Sequence, residues 1–192
     1  MNTTHDKLVI LDRDGVINHD SDDYIKSTEE FVLIDNSIEA IIDLKKSGYK
    51  IAIATNQSGL SRGYFDLKEL QKMHDIINKK LSKYNQKIDI IEFCPHLPEV
   101  NCECRKPNPG MIYKILEKLA INDLQNCWMI GDSLKDIYAG QEADLKTLLV
   151  STGKGEEILS TPSLFDKIPK STNIFKNLDE ASKFIIKNTL RE

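Results

Sequence analysis

The chain has 192 residues, 40% of them apolar and 29% charged, with a formal net charge of −4; that length suits one domain with a full hydrophobic core. The acidic balance argues against a nucleic-acid partner, which wants a basic face. No apolar run reaches membrane length, and residues 1–7 carry neither the basic nor the apolar region of a signal peptide, so no membrane role and a cytoplasmic location are expected. Residues 7–11 form a short apolar run ending in acid and glycine, the pattern of a first strand. Residues 38–46 have apolar positions at helical spacing and stop at Ser47-Gly48. Residues 49–54 become fully apolar, as a buried parallel strand does. A long amphipathic helix is predicted over 67–84, a strand over 88–93, and then a cysteine-bearing loop over 94–107. Pro109 opens a helix to about residue 119. Strand 127–130, helix 134–143 and strand 146–150 follow, with an edge strand at 174–175 and a closing helix over 179–187. Residues 151–171 are polar and fit no pattern well. Strand and helix alternate throughout, which predicts an α/β fold: a three-layer sandwich about a mostly parallel sheet, in one domain over 1–192 with no block large enough for a separate cap.

The chemistry-bearing residues follow the predicted strands, where open α/β sheets hold their ligands. Asp12 and Asp14, two residues apart at a strand end, can face one phosphate. Asp12 can attack phosphorus to form an aspartyl-phosphate, and Asp14 can protonate the leaving alkoxide and then take a proton from water. The Thr55 hydroxyl, with the backbone N–H groups of Asn56 and Gln57, can hold phosphoryl oxygens. Lys106 supplies the fixed positive charge that phosphoryl transfer needs. Asp132 can bind Mg²⁺ together with Asp12 and the Asp14 backbone carbonyl. Asp136, one turn further, either tunes that metal site or favours the start of a helix.

Cys94, His96, Cys102 and Cys104 offer three thiolates and an imidazole in one loop, a closed set suited to structural Zn²⁺ rather than a local disulfide. Arg105 and Lys106 follow the last of these directly, so the ion would hold both cations in place. Cys127 lies in an apolar strand and reads as a core thiol; His19 and His74 read as surface histidines. No exposed apolar stripe is evident, so a monomer is expected.

The motifs D-x-D-G at Asp12, T-N-Q at Thr55, R-K-P at Arg105 and G-D at Gly131, in this order, resemble the haloacid-dehalogenase (HAD) superfamily of phosphohydrolases across residues 8–150. The resemblance implies the roles just given for Asp12, Asp14, Thr55, Lys106 and Asp132. L-D-R-D-G-V-I-N, T-N-Q-S-G-L-S-R-G-Y-F, C-P-H…C-E-C-R-K-P-N-P-G-M and G-D-S-L-K-D look more closely like the D-glycero-D-manno-heptose 1,7-bisphosphate 7-phosphatase family. That likeness implies Mg²⁺-dependent removal of the 7-phosphate from a sugar bisphosphate, a step toward ADP-heptose and lipopolysaccharide cores. It places substrate contacts at Arg13, Asn18, Asp20, Tyr24, Asn56, Gln57, Ser58 and Arg105, the last on the retained phosphate or sugar, with Arg62 able to reach the distal phosphate. The compact loop between His96 and Cys102 also occurs in histidinol-phosphate phosphatases, the alternative reading. A phosphatase of nucleic-acid ends is disfavoured by the charge. A phospho-accepting signalling domain is disfavoured by Asp14, and a non-catalytic zinc module would not need every aspartate.

Overall fold

The computed structural model describes residues 5–189. Six parallel strands form one sheet: β1 (Lys7–Leu11), β2 (Lys50–Asn56), β3 (Ile90–Cys94), β4 (Asn126–Gly131), β5 (Lys146–Val150) and β6 (Asn173–Phe175), in the order β3-β2-β1-β4-β5-β6. β1 pairs with β2 through Leu11 and Ile53, and with β4 through Leu11 and Ile130. The chain turns to opposite sides of β1, so the carboxyl ends of β1, β2 and β4 border the crevice that such a switch point creates.

Because side chains alternate across a strand, β1 sends Val9 and Leu11 to one layer and Leu8 and Ile10 to the other. Val9 and Leu11 meet the apolar faces of α1 (Ser37–Lys46), α2 (Leu67–Ser82) and α7 (Leu178–Thr189). Leu8 and Ile10 meet α3 (Gly110–Lys118) and α4 (Leu134–Glu142). All four are fully buried; truncating such an aliphatic core residue to alanine costs about 2–5 kcal/mol. The segment without a clear sequence pattern contains two short helices, α5 (Gly155–Ser160) and α6 (Pro162–Phe165). Pro109 caps α3 rather than lying within it.

His74 corrects its surface reading: only 3% exposed, it stands with Leu70, Met73, Ile77 and Leu81 on the inward face of α2. Burial first, and then the Arg13 charge, lower its pKa to about 4, so it is neutral. His19 is exposed, as expected.

Candidate active site

Every strand from β1 to β5 delivers something to one cleft of about 280 Å³ at the carboxyl edge of the sheet. Asp12 and Asp14 follow β1, Thr55 and Asn56 end β2, Asp132 follows β4, and Lys154 lies in the turn after β5. Arg105 comes from the loop that leaves β3.

Lys106 is buried, 2% exposed, and its ammonium lies among three oxygens. Its Nζ lies 3.0 Å from Asp12 Oδ1 and 2.5 Å from Asp136 Oδ1, and donates to the Ala54 carbonyl at 2.6 Å. Burial works against the charge, but the two carboxylates overcome it and raise the lysine pKa to about 12. Asn56 fixes the same residue from behind: its amide donates to the Lys106 carbonyl and accepts the Lys106 N–H, both at 3.1 Å. Asn56 therefore positions the lysine as well as lining the cleft.

Asp12 Oδ1 also accepts the Arg13 N–H at 2.7 Å, while among the described residues no protein donor reaches Oδ2. Burial, followed by the nearby Asp136 carboxylate, pushes the Asp12 carboxyl up to about 7 against the pull of Lys106. Asp132 is buried too; its Oδ2 accepts the Lys154 N–H at 2.8 Å, and burial with the Asp136 and Asp12 charges holds its pKa well above the ordinary range. Crowded, desolvated carboxylates of this kind favour a cation among them. Asp12, Asp132 and Asp136 each bring an oxygen within 4.8 Å of the others. Asp136, however, spends Oδ1 on Lys106 and Oδ2 on the Ser133 N–H and hydroxyl at the start of α4. Of the two roles read from the sequence, the Ser133 contacts match the start of the helix, and the other oxygen faces Lys106; Asp12 and Asp132 are the carboxylates of this cluster that line the cleft. Gly15, at φ +80°, makes this packing possible: a Cβ there would lie 2.0 Å from Asp132 Oδ2.

Asp14 is gripped from several directions. Arg13 donates to Oδ1 and Oδ2 at 2.8–3.1 Å, Asn18 Nδ2 to Oδ1 at 2.8 Å and Gln57 Nε2 to Oδ2 at 2.8 Å. Burial alone would raise its pKa; the Arg13 charge and these donors lower it instead.

Four of the expected substrate contacts have other partners in the fold. Arg13 is fully buried, with its guanidinium on Asp14 and 5.4 Å from the Phe31 ring, and its side chain does not line the cleft. Asn18 is likewise buried and donates to Asp14 and the His19 carbonyl. Arg62 does not line the cleft; it lies 5.8 Å from the ring of Tyr24, which does. The Gln57 N–H, expected at the phosphate, donates instead to the Cys94 carbonyl at 2.7 Å, because the turn after β2 continues its pairing with β3. Thr55, Asn56, Gln57, Ser58, Asp20, Tyr24 and Arg105 do line the cleft. Lys135 and Lys154 also line it and were not foreseen; for Lys154 the available signal was a Gly-Lys-Gly turn following a strand.

The cysteine loop closes on itself. Cys94 Sγ lies 3.6 Å from both His96 Nδ1 and Cys102 Sγ, and Cys104 Sγ lies 3.3 Å from His96 Nδ1 and Cys94 Sγ and 3.4 Å from Cys102 Sγ. Zn–S bonds of about 2.3 Å imply tetrahedral edges of roughly 3.7 Å, so the donor set fits a zinc-sized ion. None of the four cysteines is disulfide-bonded. Arg105 Nη1 donates to the carbonyl of His96 at 3.1 Å, which ties this cleft-lining cation to one of the four donors.

Two aspartates two residues apart after the first strand and a buried lysine beside them, on this topology, mark a phosphoric monoester hydrolase of the HAD-like class, and a family model described as HAD-hydrolase-like matches residues 103–181. A D-glycero-beta-D-manno-heptose-1,7-bisphosphate 7-phosphatase of Pseudomonas aeruginosa is 46% identical over 171 residues, 89% of this chain and 93% of that protein. A D-glycero-alpha-D-manno-heptose-1,7-bisphosphate 7-phosphatase of Campylobacter jejuni is 40% identical over 174 residues, covering 90% and 98%. The crystal structure of the D,D-heptose 1,7-bisphosphate phosphatase of B. bronchiseptica, complexed with magnesium and phosphate, superposes with a TM-score of 0.88 at 37% identity, covering 95% of this chain and 99% of that one. The chain belongs to the D-glycero-D-manno-heptose 1,7-bisphosphate 7-phosphatase family.

Proposed function

We propose that this protein removes the 7-phosphate of D-glycero-D-manno-heptose 1,7-bisphosphate through an aspartyl-phosphate on Asp12. The observation that carries the reading is the Asp12–Lys106–Asp136 cluster beneath a cleft whose rim carries further cations, Arg105, Lys135 and Lys154. Asp12 Oδ1 is tied to Arg13 N–H and Lys106, which leaves Oδ2 to attack phosphorus. Lys106 and the Thr55 hydroxyl meet the charge that develops on the phosphoryl oxygens. The free protein holds Asp14 ionised, as the base for the second step; an anionic ester brought against it favours the protonated form that the leaving alkoxide needs. Mg²⁺, held by Asp12, Asp132 and the Asp14 carbonyl, would neutralise phosphate charge.

Zn²⁺ on Cys94, His96, Cys102 and Cys104 would hold Arg105 at the cleft, and Arg105 is suited to gripping the retained phosphate through paired N–H donors. Three cysteines gathered with a histidine suit a metal site more than a disulfide, as a reducing, cytoplasmic setting would require.

The test is kcat/KM with Mg²⁺ for the β and α anomers of the heptose bisphosphate and for histidinol phosphate. The reading requires one heptose anomer to be preferred over histidinol phosphate by about 10³-fold or more. A preference for histidinol phosphate would overturn it. The related phosphatases are named for both anomers, so the same assay assigns the anomer.

A further inference from the structure

The turn after β5 is built into the floor of the active site, yet its lysine reaches the rim. Thr152 Oγ1 donates to the Gly15 carbonyl at 2.6 Å, and the Lys154 N–H donates to Asp132 Oδ2 at 2.8 Å. Gly153, at φ +58°, leaves no room for more: a Cβ there would lie 2.1 Å from Asp132 Oδ2 and 2.7 Å from the Gly15 Cα. From this anchored backbone the Lys154 side chain, 49% exposed, places Nζ 3.0 Å from Asp22 Oδ1 and 3.4 Å from Asp20 Oδ2. Both carboxylates belong to the segment after the nucleophile motif, and both line the cleft. The far end of that segment is pinned separately, by Tyr24 packed edge-on against Tyr64 with ring centroids 5.1 Å apart.

Five carboxylates line this cleft, Asp12, Asp14, Asp20, Asp22 and Asp132, against three cations, Arg105, Lys135 and Lys154. A doubly phosphorylated substrate must enter this field. Lys106 answers the charges at the floor, and Mg²⁺ on Asp12 and Asp132 would add to it. Asp20 and Asp22 sit at the mouth, with Lys154 as their ion-pair partner. An ion pair this exposed contributes little to stability, so its effect is to be sought in binding.

We propose that Lys154 is a positioning residue for substrate: its ammonium draws Asp20 and Asp22 toward the metal face and cancels their charge, so that the segment 19–24 meets the sugar bisphosphate without repelling it. The inference rests on the phosphatase reading and adds the device that admits the substrate.

The test compares Lys154→Met and Lys154→Arg in the metal-loaded protein, because both keep the backbone N–H on Asp132. Lys154→Met is expected to raise KM for the heptose bisphosphate about tenfold, with kcat held within about threefold. Lys154→Arg is expected to recover most of that loss. The KM defect of Lys154→Met should shrink at about 0.5 M salt, where screening acts over roughly 4 Å. An unchanged KM, a loss confined to kcat, or an arginine variant as poor as methionine would each overturn the proposal. So would a fall in Tm and Mg²⁺ affinity that accounts for the whole defect, since that is damage at Asp132. If the wild type does not hydrolyse the heptose bisphosphate, the functional reading fails by itself; Lys154 is then judged by the same split on the phosphate ester the wild type hydrolyses best.

Discussion

Asp136→Asn tests the buried charge arrangement most directly, because it removes one negative charge and almost no volume. Lys106 is shared among Asp12, Asp136 and the Ala54 carbonyl, with side-chain exposures of 1% for the lysine and 0% for Asp136. Breaking a buried ion pair costs about 3–5 kcal/mol. Here the lysine keeps two partners, so the lower end, about 3 kcal/mol, is expected. The asparagine amide cannot repair the site: one orientation turns its NH₂ toward the Lys106 ammonium, the other toward the Ser133 N–H, both donors. For a chain of this size the loss corresponds to a Tm lower by about 6–12 °C. Asp136 is also the second-largest cause, after burial, of the raised Asp12 pKa. Without that charge Asp12 ionises at lower pH in the metal-free protein, so Mg²⁺ competes with the proton to lower pH and the acid limb of kcat/KM at limiting Mg²⁺ should move toward acid. Calorimetry and a pH–rate profile read the two effects independently. A variant whose Tm stays within about 2 °C of wild type and whose acid limb does not move would refute the shared-lysine account.

Asp12→Asn should lower kcat by about 10⁴-fold or more while zinc content and the folded circular dichroism signature persist; substantial residual turnover would remove Asp12 as nucleophile. Cys102→Ser should lose zinc, Tm and kcat/KM together, because Arg105 is tethered to the His96 carbonyl; full activity in a verified zinc-free protein would sink the positioning role. Magnesium removal should give a pH-dependent stability of definite sign. The Asp12 carboxyl rises from 3.8 to about 7 in the folded, metal-free protein. The folded state then binds more protons than the unfolded one across that window. The stabilising contribution is therefore present below 3.8 and lost as pH rises through about 7. The metal-free protein should melt lower at about pH 8 than at about pH 5.5, and Mg²⁺ should raise Tm more at the higher pH. An equal Mg²⁺ shift at both pH values would contradict the assignment of Asp12 as a ligand.

The strands were legible because parallel strands buried on both faces are continuous apolar runs, and β1, β2 and β4 lead directly into Asp12, Thr55–Asn56 and Asp132, the residues the sequence marks as site candidates. Groups that contact phosphate or metal must lie near those ends, so spacing along the chain reports them. Groups that hold those residues in place are under no such constraint. Arg13 was read as a substrate contact from its neighbours in the motif, yet its charge goes inward, to Asp14 beside it and Phe31 beneath, a choice that depends on tertiary partners. His74 was misread for a different reason: its type is ambivalent, but its spacing from Leu70, Ile77 and Leu81 already placed it on the buried face of α2. The Gln57 N–H was assigned to phosphate by motif order, whereas β-pairing claims it for Cys94. Lys154 lay in the stretch with no periodicity, where short helices of 6 and 4 residues leave little pattern to read. The distinction is physical. Residues that touch the reacting phosphate are placed by where a strand stops, which sequence records; residues that tune them are placed by which buried or ion-paired partner lies opposite, and only the folded chain brings that partner into view.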